Sequence, residues 1–267
     1  MAGPVIVEFF AYALLGAVAG ISAGLLGIGG GLIMVPVLLL IFPLVGISGE
    51  HLVQLAIGTS LAAIIFGSVS SVWTHHRHGA VKWRLFMTMA PGVTLGALAG
   101  SYGAHFLPGE VLKTLFGLLE LVIAAQLFFG RNPPPKRQLP RAPGLVGMGG
   151  GIGALGSIMG MGGGALSTPF FLWCNVVPRN AIATSAAIGL PTSIAGTIGY
   201  IVSGWSLPSL PDHALGYVYL PALLGIVAFS MMFAPLGANL AQKLRPRTLK
   251  RIFALVLALL GLYMLAS

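Results

Sequence analysis

Long, unbroken apolar segments dominate the chain and limit what it can fold into. Only 7% of its 267 residues are charged, against roughly 25% in soluble domains, so charged side chains are too few to cover a water-facing surface. A helix crosses a bilayer with about 20 apolar residues. The pattern predicts an all-α polytopic membrane protein and excludes a soluble or disordered chain. The apolar segments are Val5–Leu26, Leu32–Phe42, Leu52–Trp73, Leu85–His105, Val111–Phe129, Leu145–Met159, Ala165–Trp173, Ala181–Val202, Tyr217–Leu240 and Leu249–Leu265.

Other classes of protein fit the composition poorly. The strands of a membrane β-barrel alternate apolar and polar residues, whereas these segments do not. The net charge of +9 is expected to reflect loop bases that set orientation in a membrane, so no nucleic-acid partner is predicted. A single cysteine, Cys174, excludes an intrachain disulfide and a cysteine-based metal cluster. The first residues carry Glu8 and no basic region, so a cleaved signal peptide is not expected.

The chain contains an internal repeat. The pattern G-x-G-G-G-x-x-x-x-P occurs at Gly27–Pro36 and again at Gly160–Pro169, 133 residues later. In the same order, Thr59-Ser60 recurs as Thr184-Ser185, and Leu112–Phe116 is similar to Leu249–Phe253. Residues 1–130 are therefore predicted to form a first transmembrane repeat and residues 145–267 a second one. A basic, proline-rich linker, residues 131–144, separates them.

The distribution of Lys and Arg predicts the topology. If residues 144–173 enter the membrane and return to the same side, all but one of the 14 Lys and Arg residues face one side, and only Lys113 faces the other. A strong positive-inside bias then places the linker in the cytoplasm. Each half would hold a glycine-broken pair of segments and three full crossings, so the halves would be inverted repeats. Whether each broken pair is a re-entrant hairpin or two short crossings stays open.

The glycine runs are candidate anion-binding sites. Glycine runs are costly inside a helix, and unpaired backbone is tolerated at membrane depth only where it lines a cavity. Free amides and the start of the next short helix could hold an anion there. The alternatives are that the glycines only allow close helix packing and that the hydroxyls bond backbone carbonyls. The candidate substrate-binding residues are Gly27, Gly29, Gly30, Gly31, Thr59, Ser60, Gly160, Gly162, Gly163, Gly164, Ser167, Thr168, Thr184 and Ser185.

One acid stands in the middle of an apolar segment. Glu120 lies within Val111–Phe129, and an intramembrane acid is a functional candidate by default. It is a candidate for proton coupling, with a neutral, hydrogen-bonded structural acid and an interface contact as the alternatives. Because the chain has no Ser/His/Asp set, no metal-ligand cluster and no P-loop lysine after its glycines, we expect no enzyme activity, no metal and no cofactor.

The duplicated glycine motif, followed by Gly58-Thr59-Ser60 and Ala183-Thr184-Ser185, resembles the TauE/SafE family of sulfite and organosulfonate exporters. The resemblance covers essentially the whole chain. It implies a secondary active transporter that moves sulfur-containing anions across the bacterial inner membrane, with a proton or sodium ion as candidate coupling partner. One departure is Pro191, which replaces Phe66 in the second half, so the two helices should not be equally straight. A permease for a different anion and an anion channel are the alternatives. The substrate, the direction of transport and self-association stay open.

Overall fold

The computed structural model describes residues 3–26, 30–129, 138–243 and 246–266. Within them the chain forms ten α-helices and one short β-hairpin, which confirms the predicted all-α architecture. The elements are α1 Gly3–Leu26, α2 Gly31–Leu44, α3 Leu52–Arg77, α4 Trp83–His105, α5 Gly109–Phe129, α6 Ala142–Ile158, α7 Gly164–Trp173, α8 Pro178–Gly204, β1 Ala214–Leu215, β2 Val218–Tyr219, α9 Leu220–Lys243 and α10 Pro246–Ala266.

Each helix overlaps one predicted apolar segment, with boundaries that differ by a few residues, and two of these differences have a local cause. Helix α6 begins at Ala142, inside the predicted linker. Its Pro143 is tolerated because a first-turn proline lacks only an N–H that would have no helical partner. Helix α9 begins at Leu220 rather than Tyr217, because Val218–Tyr219 pairs with Ala214–Leu215 in the hairpin. Residues 131–137 of the predicted linker lie outside the described ranges.

Three helices are long and apolar enough to cross a membrane when only the described residues are searched. They are α3, α5 and α8. In α3 and α8, 72% of the most apolar window is buried inside the protein, against 28% in α5. The buried α3 and α8 pack against each other at the centre, whereas α5 packs mainly on α10. The centre of the protein is therefore built from one long helix of each half.

Two of the helix pairs join a helix of one half to a helix of the other half. Helix α1 packs on α9, and α6, which has the same place in the second half, packs on α4. Helix α2 packs on α3, and α7 packs on α8 in the corresponding way. The first helix of each half is thus held by the other half.

Glycines at the contact between α4 and α6 let the two backbones approach closely. A Cβ on Gly96 would fall on the carbonyl oxygen of Gly150, and one on Gly153 would fall on the carbonyl oxygen of Val93. In α1, Gly16 and Gly20 approach the α9 backbone in the same way. Small residues allow helix backbones to approach closely, which is how helices associate in lipid.

The hairpin covers one end of α3 and α8. The Tyr217 amide donates to the Tyr200 carbonyl over 3.2 Å, and the Tyr217 hydroxyl lies 2.9 Å from Nδ1 of His105. Burial, with a smaller effect of Glu50, raises the pKa of Tyr217 to about 12, so the phenol keeps its proton and can donate to that nitrogen. The hairpin is thereby joined to α8 and to the end of α4.

Replacing Gly96 with alanine should weaken the α4–α6 contact, because the added methyl group has no room beside Gly150. Overpacking of this kind costs about 1–3 kcal/mol, so we expect a lower midpoint of thermal unfolding in detergent. Gly151→Ala is the matched control, since a Cβ there meets nothing within 4 Å. Equal midpoints for the two variants would contradict the packing described here.

Candidate functional site

The turn between α6 and α7 is built by glycine. Helix α6 ends at Ile158, and α7 begins at Gly164. Between them, the φ angles of Gly160, Gly162 and Gly163 are +65°, +66° and +72°. Residues other than glycine rarely adopt this left-handed backbone conformation. The sequence therefore reverses the backbone here within five residues.

This turn leaves backbone donors without acceptors. In the described part of the chain, the amides of Gly162, Gly163 and Gly164 donate to no carbonyl, while the Gly163 carbonyl accepts from Leu166 and Ser167 at the start of α7. No side chain caps α7. Free amides at a helix start carry partial positive charge and can hold an anion.

The start of α2 lies against this turn. A Cβ on Gly31 would lie 2.7 Å from the carbonyl oxygen of Gly160 and 3.1 Å from Cα of Met161. The Gly30 carbonyl accepts from the amides of Ile33 and Met34, each over 3.1 Å. The structure therefore brings together residues of both glycine motifs. Gly27 and Gly29, the other predicted site residues of the first motif, lie outside the described residues.

The predicted threonines bond the backbone of the opposite half. The Thr59 hydroxyl donates to the Leu55 carbonyl over 2.7 Å and accepts from the Tyr219 amide over 3.0 Å. Thr184 accepts from the Lys82 amide over 3.1 Å. Tyr219 and Lys82 directly precede α9 and α4. Each threonine thus positions the corresponding helix of the other half.

Most predicted serines and threonines also have backbone partners. Ser60 donates to the Gly160 carbonyl over 3.0 Å, which links α3 to the glycine turn. Ser167 donates to Gly163 and Thr168 to Gly164, both over 3.0 Å and both within one turn of α7. Ser185 differs, because its hydroxyl is buried and has no partner among the described residues.

Two serines that sequence reasoning missed lie beside the glycine turn. Ser193 on α8 and Ser68 on α3 are both buried. They are 125 residues apart, as Thr59 is from Thr184. Extending that alignment along the two helices would have identified them. The reason for missing them is that their neighbours differ between the halves, so no shared motif surrounds them.

Glu120 is fully buried where α5 packs on α10. Both of its carboxyl oxygens lack a hydrogen-bond partner within the described ranges. Its Cβ lies 3.2 Å from the position that a Cβ would take on Gly261. Burial of an unpaired charge is costly, so this carboxyl is a candidate to hold a proton. It lies at a helix pair distinct from the glycine turn.

An open pocket of about 550 Å³ lies elsewhere, at the starts of α4 and α6. Lys82, Arg84 and Trp83 are among its lining residues, and none of the predicted binding residues is. The described residues contain no group of three His, Cys, Asp or Glu side chains that could hold a metal ion.

Known proteins resemble this chain over nearly its whole length. The sulfite exporter TauE/SafE family matches residues 12–264. A Haemophilus influenzae protein named probable membrane transporter protein is 36% identical over 253 residues, covering 94% of this chain and 96% of its own. A probable membrane transporter protein of Methanocaldococcus jannaschii is 28% identical over 257 residues, covering 94% and 93%. No solved structure matches the chain.

The apolar helices and these relatives together define a membrane transporter. The chain belongs to the sulfite exporter TauE/SafE family, which confirms the resemblance carried by its glycine motifs.

Replacing Thr59 or Thr184 with valine should destabilise the protein, because each change leaves a backbone amide of the opposite half without its acceptor. A buried donor without a partner costs about 1–3 kcal/mol, which a lower midpoint of thermal unfolding would report. Thr114→Val is the control, since its exposed hydroxyl bonds only Glu110 in its own helix. Unchanged midpoints together with lost transport would argue for a substrate contact instead.

Proposed function

We propose that this protein is a secondary active transporter that moves sulfite or an organosulfonate across the bacterial inner membrane by alternating access. The observation that carries the proposal is the glycine turn before α7. Its amides of Gly162, Gly163 and Gly164 have no backbone acceptor in the described residues, and the start of α2 lies against it. The anion would bind there, near the middle of the membrane.

The family supports the substrate class. Its description is sulfite exporter TauE/SafE, whereas the relatives are named only as probable membrane transporter proteins. A sulfonate or sulfite group carries three oxygens that accept hydrogen bonds, which suits a site made of amides and hydroxyls. Neutral donors can also release the anion, because they form no ion pair with it.

The predicted binding residues contribute in different ways in this proposal. The glycines of both motifs supply backbone donors and space, with Gly27 and Gly29 as the first-half counterparts of Gly160 and Gly162. Ser185 offers an unpartnered hydroxyl. Thr59, Ser60, Thr184, Ser167 and Thr168 hold the surrounding backbone in place through the hydrogen bonds described above.

Alternating access follows from the proposed inverted repeats, residues 1–130 and 145–267, joined by a cytoplasmic linker at 131–144. Two features support this arrangement. The helix pairs exchange partners between the halves, and Thr59 and Thr184 bond equivalent places before α9 and α4. Separation of the central helices α3 and α8 around the glycine turn, with the pairs α1–α9 and α4–α6 kept together, would expose the anion to either side.

Counterflow in proteoliposomes tests the proposal. Vesicles with purified protein would be loaded with unlabelled sulfite, sulfoacetate, taurine or an aromatic sulfonate, with the labelled compound outside. We expect saturable accumulation of at least one of them. A channel would show no counterflow, and exchange of only other anions would contradict the substrate class.

Gly163→Ala should reduce that exchange at least about tenfold. The alanine must adopt a left-handed φ, and its Cβ would lie 2.8 Å from Oγ1 of Thr192, so the amide donors of the turn shift. Gly151→Ala is the folded control, and size-exclusion chromatography verifies that both variants assemble. Full exchange by a monodisperse Gly163→Ala protein would refute the anion-binding role of the turn.

Glu120→Gln tests proton coupling. We propose that Glu120 carries the coupling proton, because its carboxyl is buried and unpaired in the described structure. The variant should lose accumulation driven by a pH gradient and keep counterflow. Glu110→Gln on the same helix is the control, since Glu110 is exposed. Unchanged gradient-driven uptake by the Glu120 variant would exclude this role.

A further inference from the structure

We propose that Ser68 and Ser193 are the specificity-determining residues of the transporter, and that their hydroxyls bind the oxygens of the anion from the two sides of the glycine turn. This inference rests on the proposed function. Neither serine belongs to the repeated glycine or Thr-Ser motifs, and their position follows from the packing of α3 and α8 around the start of α7.

Ser193 lies beside Gly162, and Ser68 lies beside Gly189, which itself approaches Gly162. The position that a Cβ would take on Gly162 lies 2.8 Å from Oγ of Ser193. The position that a Cβ would take on Gly189 lies 3.4 Å from Oγ of Ser68 and 3.1 Å from the Gly162 carbonyl oxygen. Glycine at these two places keeps the space between the hydroxyls and the turn free of side chains.

The Ser193 hydroxyl is buried and has no partner among the described residues, and Ser68 is a second, largely buried serine close by. Ser193 is 0% exposed and Ser68 is 8% exposed. Their neighbour Thr192, by contrast, donates to the Ile188 carbonyl over 2.9 Å. A buried hydroxyl that forms no hydrogen bond is costly to keep, so the Ser193 hydroxyl beside this turn indicates a binding function.

The two serines supply one donor from each half of the chain. Together with the free amides of Gly162, Gly163 and Gly164, they offer donors from three elements, α3, α8 and the start of α7. An anion with three oxygens can use all of them, whereas a carboxylate has one oxygen fewer and a halide has none. The arrangement therefore favours sulfite and sulfonates over acetate and chloride.

Burial of the pair also explains how binding would be linked to motion. Ser193 is closed off from solvent in this structure, so an anion reaches its hydroxyl only when α3 and α8 separate. An anion that bridges the two helices would stabilise their contact, and the closed state would form around the bound substrate.

Substrate-induced thermal stabilisation of the purified protein tests the pair, with sulfite, methanesulfonate, acetate and chloride as probes. Ser68→Ala and Ser193→Ala should each weaken sulfite and methanesulfonate binding at least about tenfold, since hydrogen bonds to charged groups are strong, and should weaken acetate binding less. Ser193→Thr should restore binding by keeping the hydroxyl. Ser203→Ala is the matched control, because Ser203 is another unpartnered buried hydroxyl on α8.

The melting temperature without anion separates this role from a structural one. The alanine variants remove no hydrogen bond within the described protein, so their own midpoints should not fall, whereas Ser60→Ala loses its bond to Gly160 and should be less stable.

The outcomes distinguish the two proposals. If the wild type binds sulfite or methanesulfonate and both alanine variants bind them equally well, the role of the pair is overturned while the proposed function stands. If the wild type binds acetate but no sulfur oxyanion and the variants lose acetate, the substrate class fails and the pair stands as an anion contact. No binding of any probe by folded wild-type protein would overturn both.

Discussion

Backbone groups inside an apolar environment need partners within the protein, and this constraint shapes the whole structure. Helices satisfy it along most of the chain, because each amide bonds a carbonyl one turn earlier. The turn at Met159–Gly163 departs from it, since three successive amides from Gly162 to Gly164 have no carbonyl acceptor in the described residues. The rest of the fold surrounds this turn with α2, α3 and α8, and that enclosure is what makes it a candidate anion site.

The helix backbones around the glycine turn approach one another closely. Glycines on α4 and α6, and on α1 and α9, leave no room for side chains between the helices. The first helix of each half is thereby fixed to the other half. Such mutual packing leaves α3 and α8 free to meet at the centre, where they face the glycine turn. In the proposed mechanism the outer pairs stay intact while the central helices α3 and α8 move.

Buried hydroxyls divide into two groups with different chemistry. Thr59, Thr184 and Ser60 bond backbone atoms of the opposite half and so hold the fold. Ser193 lies beside Gly162 and has no partner in the described chain, and Ser68 lies close by, beside Gly189. The second group is where a ligand can gain hydrogen bonds without displacing existing ones. Substrate selectivity is therefore proposed to reside in residues that are not part of any conspicuous motif.

The sequence by itself determined the class of protein, the helix positions and the family, because apolar runs and glycine clusters act through local rules. Long apolar segments can bury themselves only as helices in a membrane, and glycine runs can only interrupt them. Tertiary structure alone decided which hydroxyls form hydrogen bonds within the protein, since their partners are distant in the chain. Thr59 bonds Tyr219, and Ser60 bonds Gly160. It also decided that Gly31 meets Gly160, a contact set by how the two halves pack rather than by any local preference.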